Sequence, residues 1–254
     1  MAESPRSRPV SEVAVLGFAL ASLCALGALA SGLGYRLHWW DLGTGFALLR
    51  WAAYGAVPAG LAAILGVFLA RPHGGRRGLA WALLGVALAL PPVLVPAYWL
   101  HTARSVPAIH DITTDLENPP AFEAVVPLRR GAPNPHRYAG LEVARQQRRA
   151  YPDIGPALVT ATPERAFAQA LAAARAMGWT IHAAEPETGR VEATDTTFWF
   201  GFRDDIVVRV TPHGNGARLD VRSVSRVGRS DLGTNARRVR AYLSALRERL
   251  PGAS

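Results

Sequence analysis

Between residues 109 and 115 the chain reads Ile-His-Asp-Ile-Thr-Thr-Asp. His110 beside Asp111 is a candidate acid-base pair, because an imidazole changes charge near neutral pH and a carboxylate can orient it. Asp111, Thr113, Thr114 and Asp115 also offer the oxygen atoms that a hard cation takes. A plainer use competes with both: Asp and Thr side chains satisfy backbone donors in turns and at strand ends. One oxygen cluster without a second set of ligands or EF-hand spacing identifies no metal, and nothing in the sequence calls for a cofactor. Asp195 is a second candidate. The alternation Val191, Ala193, Asp195 sends its carboxylate toward an apolar face, where it must be paired or protonated. Arg203, Arg222, Arg226 and Arg229 are candidate partners. They either form a structural ion pair that fixes strand register or make a pocket in which guanidinium forks grip a carboxylate, phosphate or lipid headgroup. Phe198-Trp-Phe-Gly-Phe202 is read as core or strand packing, or, if exposed, as a membrane-interface or apolar-ligand contact.

Other chemistries are missing their residues. The chain has 28 basic residues and all are arginine, so a Schiff-base or phosphate-loop lysine is excluded. Its single cysteine, Cys24, excludes an intrachain disulfide and a cysteine zinc cluster. No Gly-x-Ser-x-Gly elbow occurs. Arginines and acids interleave, as in Arg203-Asp204-Asp205 and Arg218-Leu-Asp-Val-Arg222, instead of forming the stripe or tail of a nucleic-acid binder. Nucleic acid is therefore not an expected partner.

The elements that must position these groups begin with three apolar runs. Val13–Leu33, Trp51–Ala70 and Gly78–Leu100 contain no Asp, Glu, Arg or His, and each has the roughly 20 residues of a bilayer-spanning helix. Residues 1–12 form a tail and 13–100 a three-helix transmembrane region. Orientation follows from arginines in short loops. Arg6, Arg8, Arg71, Arg76 and Arg77 lie on one side, against Arg36, Arg50 and Arg104 on the other. This bias predicts the N-terminus inside and the C-terminal domain outside the cytoplasmic (inner) membrane. A signal-peptide reading of the first run competes, but its uncharged stretch is long for that purpose.

Residues 101–160 are rich in proline and turn formers and predict an extended connector with one short helix near Leu141–Tyr151. An α+β domain follows over 161–250. Thr162-Pro163 starts an amphipathic helix that Gly178 stops. Alternating residues then predict a four-stranded antiparallel meander, turned at Glu185–Gly189 and His213–Gly216. Leu232, Ala236, Val239, Leu243, Leu246 and Leu250 mark a last helix. Both helices are expected on one sheet face. The other face, with Arg190, Glu192, Thr194, Arg218, Asp220 and Arg222, is expected to be wet, or else covered by the segment from Ile109 to Val126.

Three stretches, Ile109–Asp115, Ala193–Asp205 and Ser223–Ala236, resemble the domain of unknown function 1499 (DUF1499) family, over about Pro107 to Leu250. Members of that family in proteobacteria often carry hydrophobic segments in front, so the resemblance implies a membrane-anchored bacterial form. It transfers no catalytic role. The combined expectation is an integral membrane protein displaying an extracytoplasmic α+β binding or envelope-associated domain. Its partners would be the lipid bilayer, anionic headgroups or another envelope protein. His110, Asp111, Thr113, Thr114, Asp115, Asp195, Arg203, Arg222 and Arg226 would form its polar site. The alternative is a membrane-anchored hydrolase or transferase using His110, Asp111 and Asp115.

Overall fold

The computed structural model describes residues 8–71 and 76–250; the start of the N-terminal tail, with Arg6, lies outside the described residues. The chain divides into two compact units, one of residues 1–101 with Trp199–Gly201, the other of Thr102–Phe198 with Phe202 onward.

The first unit is built on α1 (Glu12–Arg36), α2 (Leu42–Ala70) and α3 (Leu79–Ser105). All three are long and apolar enough to cross a membrane. The Ser11 hydroxyl caps α1 by accepting from the Ala14 N–H, and Asp41 caps α2 by accepting from the Thr44 N–H at 3.0 Å. Small residues lie inside and large ones outside: Ala21, Ala59 and Ala63 are fully buried, while Leu23 is 67% and Leu61 63% exposed. A water-soluble bundle buries its leucines; outward leucines over an alanine and glycine seam are the pattern of helices packed in lipid. The seam is close, since a Cβ on Gly17 would lie 2.6 Å from the Ala63 nitrogen. Pro58 in α2 and Pro91, Pro92 and Pro96 in α3 are accommodated without ending either helix.

The second unit holds β1 (Asp111–Thr113), α4 (Leu141–Ala150), β2 (Ala157–Val159), α5 (Pro163–Ala176), β3 (Thr180–Glu185), β4 (Arg190–Thr196), β5 (Arg203–His213), β6 (Gly216–Ser225) and α6 (Thr234–Arg249). The predicted meander is present as β3 to β6, but the antiparallel sheet has six strands in the order β1-β6-β5-β4-β3, with β2 also on β6. The two extra strands lie within the proline-rich connector; at three residues each they are too short to display an alternation. Where β4 turns back from β3, Gly189 sits at φ 65, and a Cβ there would collide with the Val210 carbonyl.

Both helices cover one face, as expected. Phe167, Ala170 and Ala174 of α5 and Val239, Leu243 and Leu246 of α6 bury Val191, Ile206, Val208, Leu219 and Val221. Trp179 stacks on Tyr242 with ring centroids 5.1 Å apart, and the Tyr242 hydroxyl donates to the Ala170 carbonyl. The expectation of a wet opposite face is corrected: it is covered. Phe122 and Val125 pack on Val207 and Val224. Glu192, 0% exposed, accepts from the N–H groups of Glu123 and Val125 at 2.8 and 2.9 Å. The alternative covering by Ile109–Val126 is what occurs, because buried strand carboxylates recruit the backbone donors of an irregular segment that must otherwise find water.

Candidate functional site

Beside the group of Arg190 with Glu192, Glu123 and Glu185, three ionic groups on the covered face involve predicted site residues. In the first, Arg222 donates from Nε and Nη2 to the two oxygens of Asp111 at 2.9 and 2.7 Å. The same guanidinium donates to the carbonyls of Pro120 and His136 and lies between the rings of Phe122 and Tyr138. Burial and, after it, the charge of Asp111 push the Tyr138 phenol up to about 12.

In the second group Asp205 accepts from Arg226 at 2.7 and 2.9 Å, from Arg129 at 2.5 Å and from the Thr194 hydroxyl at 2.6 Å. Burial opposes ionisation of Asp205, yet these donors and the charges of Arg226 and Arg129 outweigh it and hold the carboxyl below the usual carboxylate range. In the third group Arg209 and Arg218 both reach Asp115 and Asp220. The other Asp115 oxygen accepts from the N–H groups of Glu117 and Asn118, which makes a turn. Thr114 joins this group through a hydrogen bond to Asp220 and accepts from the Val221 N–H.

A fourth group lies on the helix-covered face. Arg238 of α6 bridges Asp195 and Asp204 at 2.8 and 2.7 Å and bonds the Ser223 hydroxyl and Asn235. Asp195 does face the apolar side, but its partner is not Arg222, Arg226, Arg229 or Arg203. Strand alternation gives the face of a side chain and says nothing about which residue an incoming helix brings to it. Arg203 is exposed, with no side-chain partner among the described residues.

The strand carrying His110 to Asp115 is held at its free edge by a side chain. Thr113 donates its N–H to Oε1 of Gln147 at 3.0 Å and accepts from Nε2 at 2.6 Å. Gln147, fully buried on α4, thus takes the place of a neighbouring strand. Beside it, His110, Asp111, Asn134, Arg137, Gln146 and Arg229 line a cleft of about 280 Å³ between β1 and α4.

Of the predicted site residues, only His110 and Asp111 line that cleft. Thr113, Thr114 and Asp115 serve turns and strand ends, Arg222 and Arg226 hold separate buried carboxylates, and Asp195 lies on the other face. Among the described residues no three His, Cys, Asp or Glu side chains gather as metal ligands would. Missed from the sequence were Arg129, Arg209, Arg238, Asp204, Asp205 and Gln147; Arg218 and Asp220 were placed on their strand face but left out of the predicted site. The i, i+2 spacing of Arg218, Asp220 and Arg222 was a usable signal, since it sets three charges on one strand face. For Arg238 and Gln147 no local signal existed.

The aromatic run is divided. Within the first unit, the Trp199 indole donates to the Leu29 carbonyl at 3.0 Å, and Phe200 packs on Phe46 with centroids 5.4 Å apart. Phe198 is 81% exposed.

These features define a class: a multi-pass membrane protein, by the length and composition of three helices, carrying an α+β domain whose sheet is ion-paired beneath an irregular cover. Residues 111–246, more than half of the chain, match the family described as "Protein of unknown function (DUF1499)", and the chain belongs to the DUF1499 family. A search of curated proteins gave no match.

Proposed function

We propose that the protein holds its DUF1499 domain on the outer side of a bacterial cytoplasmic membrane, where the domain acts as a binding module of the cell envelope. The observation that carries the binding reading is the neutralisation of Asp111 and Asp115 by different arginines. Arg222 occupies both oxygens of Asp111, and Arg209 with Arg218 holds Asp115. A hydrolase or transferase using His110, Asp111 and Asp115 needs these groups to converge with a free base on one reacting atom. Here only His110 lacks a carboxylate or guanidinium partner among the described residues, its Nδ1 lying 3.4 Å from the Arg229 carbonyl.

The outward orientation is supported by the loop arginines of the sequence: Arg6, Arg8, Arg71, Arg76 and Arg77 on one side of the apolar runs, against Arg36, Arg50 and Arg104 on the other. The bilayer, its anionic headgroups or another envelope protein are the partners this reading implies. Reporter fusions joined after Leu250 test the topology: a reporter that works only outside the cytoplasm should be active, and activity of a cytoplasm-only reporter there overturns the orientation. Turnover of ester or phosphoester substrates by the purified full-length protein, abolished in His110→Gln, would reinstate the enzyme reading.

A further inference from the structure

The cleft between β1 and α4 contains a charge imbalance. Its lining includes two arginines, Arg137 and Arg229, together with His110, and its single acidic residue is Asp111. Asp111 is already neutralised by Arg222, which approaches it from the covered sheet face and is not part of the lining. Arg137 and Arg229 are exposed, and neither side chain has a hydrogen-bond or ion-pair partner among the described residues. Arg129, Arg190, Arg209, Arg218, Arg222 and Arg226 on the sheet's covered face are each tied to a carboxylate, whereas the two cleft arginines are not.

The backbone adds a further pair of groups. In the β1–β6 ladder, the Ser225 N–H bonds the His110 carbonyl and the Thr114 N–H bonds the Val221 carbonyl. In an antiparallel pair the bonding residues alternate, so Asp111 and Thr113 turn their main-chain groups off the sheet edge. Gln147 satisfies Thr113. Asp111 has no such side-chain cover, and it borders the cleft with Val143 and Gln146 of the same helix.

From this geometry we infer that the cleft is a binding site for a phosphate monoester. This rests on the reading of the domain as a binding module and supplies its ligand class. Two uncompensated guanidinium charges match the roughly −1.5 to −2 charge of a phosphate monoester near neutral pH, whereas a carboxylate balances only one. Arginine forks bind the phosphate oxygens in pairs, and the edge N–H of Asp111 and the second Nε2 hydrogen of Gln146, whose first goes to Glu142, add neutral donors. A volume of about 280 Å³ holds a phosphate with a short organic group; it lies at the small end of ligand pockets. The phosphate could belong to a soluble molecule or to a lipid headgroup such as phosphatidic acid, and the chemistry of the site is the same for both.

The test uses the full-length protein. In neutral detergent, isothermal titration with inorganic phosphate is expected to give saturable binding. Arg137→Ala and Arg229→Ala should each weaken it about tenfold or more, with unchanged thermal midpoints because neither side chain has a partner to lose. Arg247→Ala, an exposed arginine of α6 outside the cleft, should bind as the parent does. In parallel, the protein in phosphatidylcholine nanodiscs, with and without phosphatidic acid, reports the lipid source through an Arg229-dependent rise in thermal midpoint. Binding of inorganic phosphate identifies a soluble ligand class; a response to phosphatidic acid alone identifies a headgroup. Absence of both, or binding undiminished in both cleft variants, overturns the site. Turnover of 4-nitrophenyl phosphate with the same arginine dependence would keep the site and remove the module reading.

Discussion

Replacing Arg222 by methionine tests whether the ion pairs beneath the sheet are structural. The substitution removes the fork that engages both Asp111 oxygens and leaves the Pro120 and His136 carbonyls without that donor. The Arg222 side chain is 3% exposed and that of Asp111 6%, so water does not readily replace what is lost. Breaking a buried pair from one side costs about 3–5 kcal/mol, because the surviving charge is stranded. Methionine retains much of the volume between Phe122 and Tyr138, so the cavity contribution is small and about 4 kcal/mol is expected. Domains have only about 5–15 kcal/mol in total. Peptide-resolved hydrogen exchange on the full-length protein in detergent should therefore show β1 and β6 exchanging on the order of a thousandfold faster. The double variant Asp111→Leu with Arg222→Met should recover part of the loss, since no charge is then stranded. Exchange in the single variant within about tenfold of the parent would refute the reasoning and return Arg222 to the list of ligand contacts.

The remaining predictions concern other contacts. Asp205 has a folded-state pKa below its unfolded value, so its stabilising contribution is complete above the ordinary carboxylate range and is lost as pH falls through the folded value. Denaturation midpoints measured against pH should fall on the acid side, and Asp205→Asn should flatten that limb while lowering stability at neutral pH. Gln147→Leu removes both partners of the buried Thr113 backbone groups and should cost about 2–4 kcal/mol, read by denaturant titration. Gly17→Leu forces a side chain against the backbone of Ala63; a loss of about 1–3 kcal/mol should lower the temperature of aggregation in detergent. The full-length chain should sediment with membranes and leave them only with detergent; its recovery in a detergent-free supernatant would contradict the lipid-facing leucines.

What the sequence determined by itself was whatever depends on local spacing. Uncharged runs of membrane-spanning length, the Thr162-Pro163 helix start, the alternation along β4 to β6 and the single apolar stripe of α6 are one-dimensional patterns, and hydrophobic burial turns them into elements with little choice. The same patterns gave Asp195 its face and led to the expectation that it is either paired or protonated. Partner choice was decided only by the tertiary structure. Arg238 reaches Asp195 and Asp204 because α6 packs across those strands, and Gln147 completes β1 because α4 lies along its edge. Arg222 meets Asp111 because β1 adds to β6 after a separation of more than a hundred residues. A charge attracts any opposite charge, so sequence leaves many pairings open; the chain's closed geometry leaves one. The tertiary structure likewise decided which arginines border the cleft without a carboxylate, because it alone brings Asp111, Asp115 and Asp205 to Arg222, to Arg209 with Arg218, and to Arg226.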